Sequence, residues 1–152
     1  MKILLPFVVM LVFLFSCKKE NENSNPQITF KSLTPNSWLT TFPENGPILT
    51  FQLTDKEGDI GFQDTSISYI YIRRANDTLR NSLDSFQFPE LPIADKSNLN
   101  VEVSVNINHL IRYHLPIPNP RDTVQFEFYV KDFANNKSNV VFTPVPFYYS
   151  IP

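Results

Sequence analysis

The sequence predicts an all-β fold, a two-sheet antiparallel sandwich of about seven strands, and three observations carry the prediction. Apolar and polar residues alternate in run after run, at the period of two that a strand with one buried face requires. Fourteen Phe and six Tyr stand beside thirteen Pro and only three Gly in 152 residues, which suits strands bounded by rigid turns. Beyond the first sixteen residues, no long stretch has the i, i+3, i+4, i+7 apolar spacing of a helix.

The chain opens with Met1-Lys2, a short cationic start, followed by an almost unbroken apolar run over residues 3–15. That run matches the apolar stretch of a secretory signal and is too short to span a bilayer as a helix. It closes on Leu14-Phe15-Ser16-Cys17, with the single cysteine of the chain. This ending resembles a bacterial lipobox, in which the signal is cut before the cysteine and the thiol is lipidated. The resemblance implies a signal peptide at 1–16, lipidation of Cys17 and a chain held at a membrane, with the cell envelope and the outer membrane as its expected place. A single acyl chain holds a protein only marginally and two or more hold it firmly, so a lipidated cysteine replaces a membrane-spanning helix.

Residues 18–26 (Lys-Lys-Glu-Asn-Glu-Asn-Ser-Asn-Pro) contain no apolar side chain, so residues 17–26 read as a flexible tether. The same tract resembles the lysine-plus-acid segment that marks surface export in some lipoproteins of the Bacteroidota. A plain tether on the periplasmic face is the alternative. Loss of residues 1–16 removes Lys2 from the 13 basic residues and leaves all 15 acidic ones, a net charge of about -3. No basic patch or stripe follows, which argues against a nucleic-acid partner. With Cys17 spent on lipid no disulfide is possible, so the domain over 27–152 must hold by packing alone.

Within that domain Ile28 and Phe30 alternate with Thr29 and Lys31, a first strand. Residues 48–54 place Leu49, Phe51 and Leu53 on one face. In residues 67–73, Ile70 and Ile72 share one face, while Ile67, Tyr69 and Tyr71 share the other. Residues 75–78 then read as a turn. Phe86 and Phe88 mark a short strand that Pro89 and Pro92 confine to an edge. Residues 101–107 alternate most cleanly, with Val101, Val103, Val105 and Ile107 inward. Residues 124–130 repeat this with Val124, Phe126, Phe128 and Val130. Residues 140–149 form the last run, where Pro144 and Pro146 again predict an edge. Seven such runs with turn-rich connections fit an immunoglobulin-like sandwich; a jelly roll or small β-barrel is the competing architecture. The Cys-Trp-Cys core of antibody domains is missing, and no repeat of 20–50 residues occurs.

The strongest local motif is Asp55-Lys56-Glu57-Gly58-Asp59-Ile60-Gly61, between the second and third runs. Three carboxylates at alternating positions around a glycine turn could offer hard oxygen ligands to Ca²⁺. An EF-hand is excluded, because counted from Asp55 the sixth and twelfth positions are Ile60 and Ser66. The segment resembles the Asp-Gly-Asp-Gly-Asp-Ile-Gly loop that follows the first core strand in many small Bacteroidota envelope lipoproteins, with Lys56 in place of Gly and Glu57 in place of Asp. A second motif, residues 130–139 (Val-Lys-Asp-Phe-Ala-Asn-Asn-Lys-Ser-Asn), resembles the Asp-x-x-Gly-Asn-x-Ser-Asn turn between the last two strands of bacterial immunoglobulin-like domains. Asn135 stands at the glycine position, where its tolerance of left-handed backbone angles would serve. Asp132 falls in the buried phase of its strand and needs a partner, either a turn N–H or a metal shared with the 55–59 loop. In the immunoglobulin-like topology the two loops lie at one end, so the metal set would be Asp55, Glu57, Asp59 and Asp132. The alternative is a solvated turn built by Gly58 and Gly61.

Catalytic signals are absent from the sequence. It holds no Gly-x-Ser-x-Gly, no His-Glu-x-x-His, no P-loop and no dinucleotide fingerprint, and a non-enzymatic role is expected. His109 and His114 would face opposite sides of one strand, with His109 packing at its inward end. Trp38, Tyr69, Tyr71, Tyr113, Tyr148 and Tyr149 could form a sugar-stacking platform, with Tyr69 and Tyr71 the best placed, or serve as core and cross-strand pairs. The function expected is thus a lipid-anchored envelope protein with a structural or interaction role and an envelope-protein or glycan partner. The alternative is a glycan- or ligand-binding accessory lipoprotein of a surface uptake system.

Overall fold

A computed structural model of the chain describes residues 25–38, 46–63, 66–75, 83–88, 97–112 and 121–150. The apolar run at 3–15, Cys17, most of the tether, Tyr113 and His114 lie outside the described residues. In chain order the elements are β1 (Gln27–Thr34), β2 (Ser37–Trp38), β3 (Ile48–Asp55), β4 (Phe62–Gln63), β5 (Ser66–Ile67), β6 (Tyr69–Arg74), β7 (Asp84–Gln87) and β8 (Leu99–Asn106). There follow a single-turn helix α1 (Asn108–Arg112), then β9 (Arg121–Val124), β10 (Phe126–Lys131), β11 (Val141–Phe142) and β12 (Phe147–Ser150).

Two open antiparallel sheets form the sandwich, one in the order β1-β3-β8 and the other in the order β11-β10-β6-β7. The chain crosses between sheets from β3 to β6, from β7 to β8 and from β8 to β10, the connectivity of an immunoglobulin-like sandwich. Open edges rule out a closed barrel. β9 and β12 prolong the β10–β11 hairpin past an irregularity at Gln125 and at residues 144–146, and β2 joins β12 in parallel, Tyr148 opposite Ser37 and Tyr149 opposite Trp38. The antiparallel expectation therefore has one exception. The chain reaches it through a cis Thr34–Pro35 peptide, with β1 in one sheet and β2 beside the other.

The core lies between the inner faces. Leu49, Phe51 and Leu53 of β3 and Val103 of β8 meet Ile70 and Ile72 of β6 and Phe126, Phe128 and Val130 of β10. Phe51 and Phe128 bridge the layers with ring centroids 5.5 Å apart. Trp38 is core too, edge-on to Phe147 at 5.5 Å, and Tyr149 is buried beside them. Each such burial stabilises by roughly 1.5–3 kcal/mol over exposure, which is how a domain without disulfides holds.

The first strand alternates as expected, with Ile28 and Phe30 toward the core and Thr29 and Lys31 outward, and past Phe30 a bulge shifts the register so that Leu33 is the next buried residue. Two expectations need correction. The last run is two strands, and only β11 is an edge; β12 sits between β2 and β9. His109 is not a strand-end packing residue. The strand stops at Asn106, whose side-chain oxygen accepts the Asn108 N–H at 2.9 Å and caps α1. Leu110 and Ile111 turn inward instead, and His109 is exposed with its ring 4.7 Å from that of Phe86.

Candidate functional site

β3 and β10 end at the same pole of the sandwich, and their loops touch: the Phe133 N–H donates to the Asp59 carbonyl at 2.8 Å. Positive φ at Gly58 (67°) and Asn135 (67°) bends the two loops toward one another, the left-handed angle that glycine and asparagine tolerate best.

The four predicted metal-site residues fare differently in this arrangement. Asp55 is 2 % exposed, and neither of its carboxylate oxygens has a hydrogen-bond partner. Asp59 is half-buried and one of its oxygens, Oδ1, is likewise unpartnered. Asp132 is buried but satisfied: its two oxygens accept the Asn136 N–H and the Asn136 side-chain amide, both at 2.8 Å. Glu57 points to the exposed surface. Among the described residues, no three His, Cys, Asp or Glu side chains form a ready metal-holding group.

Electrostatics single out Asp55. Burial pushes its carboxyl up from 3.8 to about 6, the nearby charges of Asp59 and Asp132 push the same way, and the amides of Gly58 and Glu57 offset this only in part. These amides lie near the carboxylate without reaching hydrogen-bond geometry, as its two unpartnered oxygens show. Asp59 is raised as well, first by burial and then by Asp132 and Glu57, against the amide dipoles of its own residue and Ala134. Beside Asp55 an open cleft of about 360 Å³ runs between Asn25 and Gln27 on one side and Asn98 and Asn100 on the other.

The rest of the 130–139 motif closes the fold. The Ser138 hydroxyl accepts the Val130 N–H at 3.0 Å and donates to the Asn139 carbonyl at 2.8 Å. Asn139 acts as a surrogate strand: its oxygen accepts the Ile28 N–H at 2.8 Å and its amide donates to the Ile28 carbonyl at 2.9 Å, tying the hairpin to β1. Ser68 and Thr143 satisfy the buried Gly61 and Phe126 N–H groups in the same manner. Sequence reasoning missed Asn139, Ser68 and Thr143. The Ser-Asn ending of the motif was the signal for the first, whereas Ser68 and Thr143 had none.

Tyr69 and Tyr71 lie on the outer face of the second sheet. Tyr71 is directly opposite Tyr129 and stacks on it at 4.9 Å and 15°, with Tyr69 tilted beside it at 6.3 Å. Lys137 sits 3.9 Å over the Tyr129 ring and Lys131 5.6 Å over that of Tyr71. One step along, Arg73 forks onto both oxygens of the facing Glu127 at 2.8 Å. The result is a cross-strand ladder in which the rings turn much of their flat surface to each other and to ammonium groups rather than to solvent. Tyr148 is 39 % exposed on a different strand.

The chain matches no protein-family model, no curated protein and no solved structure.

Proposed function

We propose that this chain is a lipid-anchored module of a bacterial cell envelope whose immunoglobulin-like sandwich serves structure or interaction rather than catalysis. The observation that carries the reading is the sequence Leu14-Phe15-Ser16-Cys17, placed after a cationic start and a thirteen-residue apolar run and before a tract with no apolar residue. Four of the six buried polar residues among the described residues support it: Ser68, Ser138, Thr143 and Asp132 are each engaged in closing a strand or turn, which is the work of a scaffold. The interaction surface would be the sandwich, held off the membrane by the residues after Cys17.

Cell fractionation of the wild type and of Cys17→Ser tests the reading. The wild type is expected in the membrane fraction and released only by detergent, and Cys17→Ser is expected to lose that attachment. Equal membrane retention of the two proteins would overturn it.

A further inference from the structure

We propose that Asp55 and Asp59 hold a calcium ion at the pole of the sandwich where the loops after β3 and β10 meet. The proposal stands apart from the anchoring reading and does not need it.

Asp55 is 2 % exposed, and its carboxylate has no hydrogen bond to either oxygen. A buried ionised group without a partner costs several kcal/mol, so native structures rarely keep one. Proteins resolve such a group by protonation or by a cation. Asp59, with its unpartnered Oδ1, and Asp132 add negative charge to the same pocket. One divalent cation relieves all of these repulsions together.

Chemistry and geometry select the ion. The side chains are hard oxygen donors at the end of β3 and in the loop after it, which suits the 6–8 flexible ligands of Ca²⁺ better than the strict octahedron of Mg²⁺. Two carboxylates suffice if main-chain oxygens and water complete the shell, in keeping with the absence of a ready three-residue group among the described residues. Asp132 and Glu57 are not ligands in this site. Asp132 is occupied by Asn136 and contributes only its field, and Glu57 is exposed and acts on Asp59 through its charge. Because Asp59 is bound to Phe133 through its carbonyl, an ion on its side chain also stiffens the contact between the loops.

The test is thermal unfolding of the detergent-solubilised full chain in EDTA, in millimolar CaCl₂ and in millimolar MgCl₂, for the wild type, Asp55→Asn and Asp59→Asn. Calcium at a hundredfold excess over Kd is expected to raise the wild-type melting temperature by about 5–10 °C. Magnesium is expected to raise it less, and neither variant should respond. Should Asp55→Asn fail to fold, the half-buried loop position Asp59→Asn carries the test. Coincident wild-type curves in calcium and EDTA overturn the proposal, as does a calcium shift retained by either variant.

Discussion

Replacing Asp55 by Asn should stabilise the protein at neutral pH, an unusual direction for a substitution at a buried position. Asp55 titrates at about 6 in the folded chain against 3.8 ordinarily, chiefly because it is desolvated. Between those values the folded state binds a proton that the unfolded state releases. Stability is thus greatest below the unfolded value and falls as pH rises through 6. A difference of about two pH units corresponds to a ceiling of about 3 kcal/mol, and screening at a loop beside an open cleft reduces this to about 1–2 kcal/mol. Asn keeps the shape and removes the charge, and its amide can donate to the neighbouring Asp59 or Asp132. Urea unfolding at pH 5 and pH 7.5, both with EDTA, is the assay. Because pH 5 lies midway between the two values, about half of this is read between the conditions, and the wild type should lose about 0.5–1 kcal/mol relative to Asp55→Asn. Equal pH slopes in the two proteins would refute the reasoning, because Asp55 would then not be charged at a cost.

Three further outcomes follow from the packing. Phe128→Ala removes one of the two rings that bridge the sheets and should cost about 3–5 kcal/mol in urea unfolding, a large share of the roughly 5–15 kcal/mol that such a domain has. Asn135 holds φ at 67°, so Asn135→Val should destabilise by about 1–2 kcal/mol while Asn135→Gly leaves the unfolding midpoint nearly unchanged. A double-mutant cycle between Tyr71 and Tyr129 should return a coupling of about 0.5–1.5 kcal/mol, and a coupling of zero would mean that the stacked pair adds nothing beyond its buried area.

Strict alternation made the sandwich legible. The runs 101–107 and 124–130 place Val103, Val105, Phe126 and Phe128 in the core because a strand with one buried face leaves no other phase. The same parity runs through Leu49, Phe51 and Leu53 to Asp55, and it could have shown from sequence that this carboxylate faces inward while Glu57, beyond the strand end, does not. Elements set by tertiary context were not legible. β2 is two residues long and exists because β12 pairs with it. The bulge at Lys31 leaves no trace in composition. α1 did leave one: Ile107, Leu110 and Ile111 are spaced as one face of a helix turn after a capping Asn106, too short for a periodic search to detect. At the candidate site the meeting of the two loops followed from strand polarity. That Asp132 is satisfied by Asn136 while Asp55 is left without a partner depends on turn geometry that no spacing rule encodes.

The mass of the N-terminal peptide of the mature protein decides whether the chain is lipid-anchored. Its first residue is expected to be Cys17, carrying the added mass of acyl chains, with residues 1–16 absent. A mature chain that retains residues 1–16, or that begins with an unmodified Cys17, would contradict it.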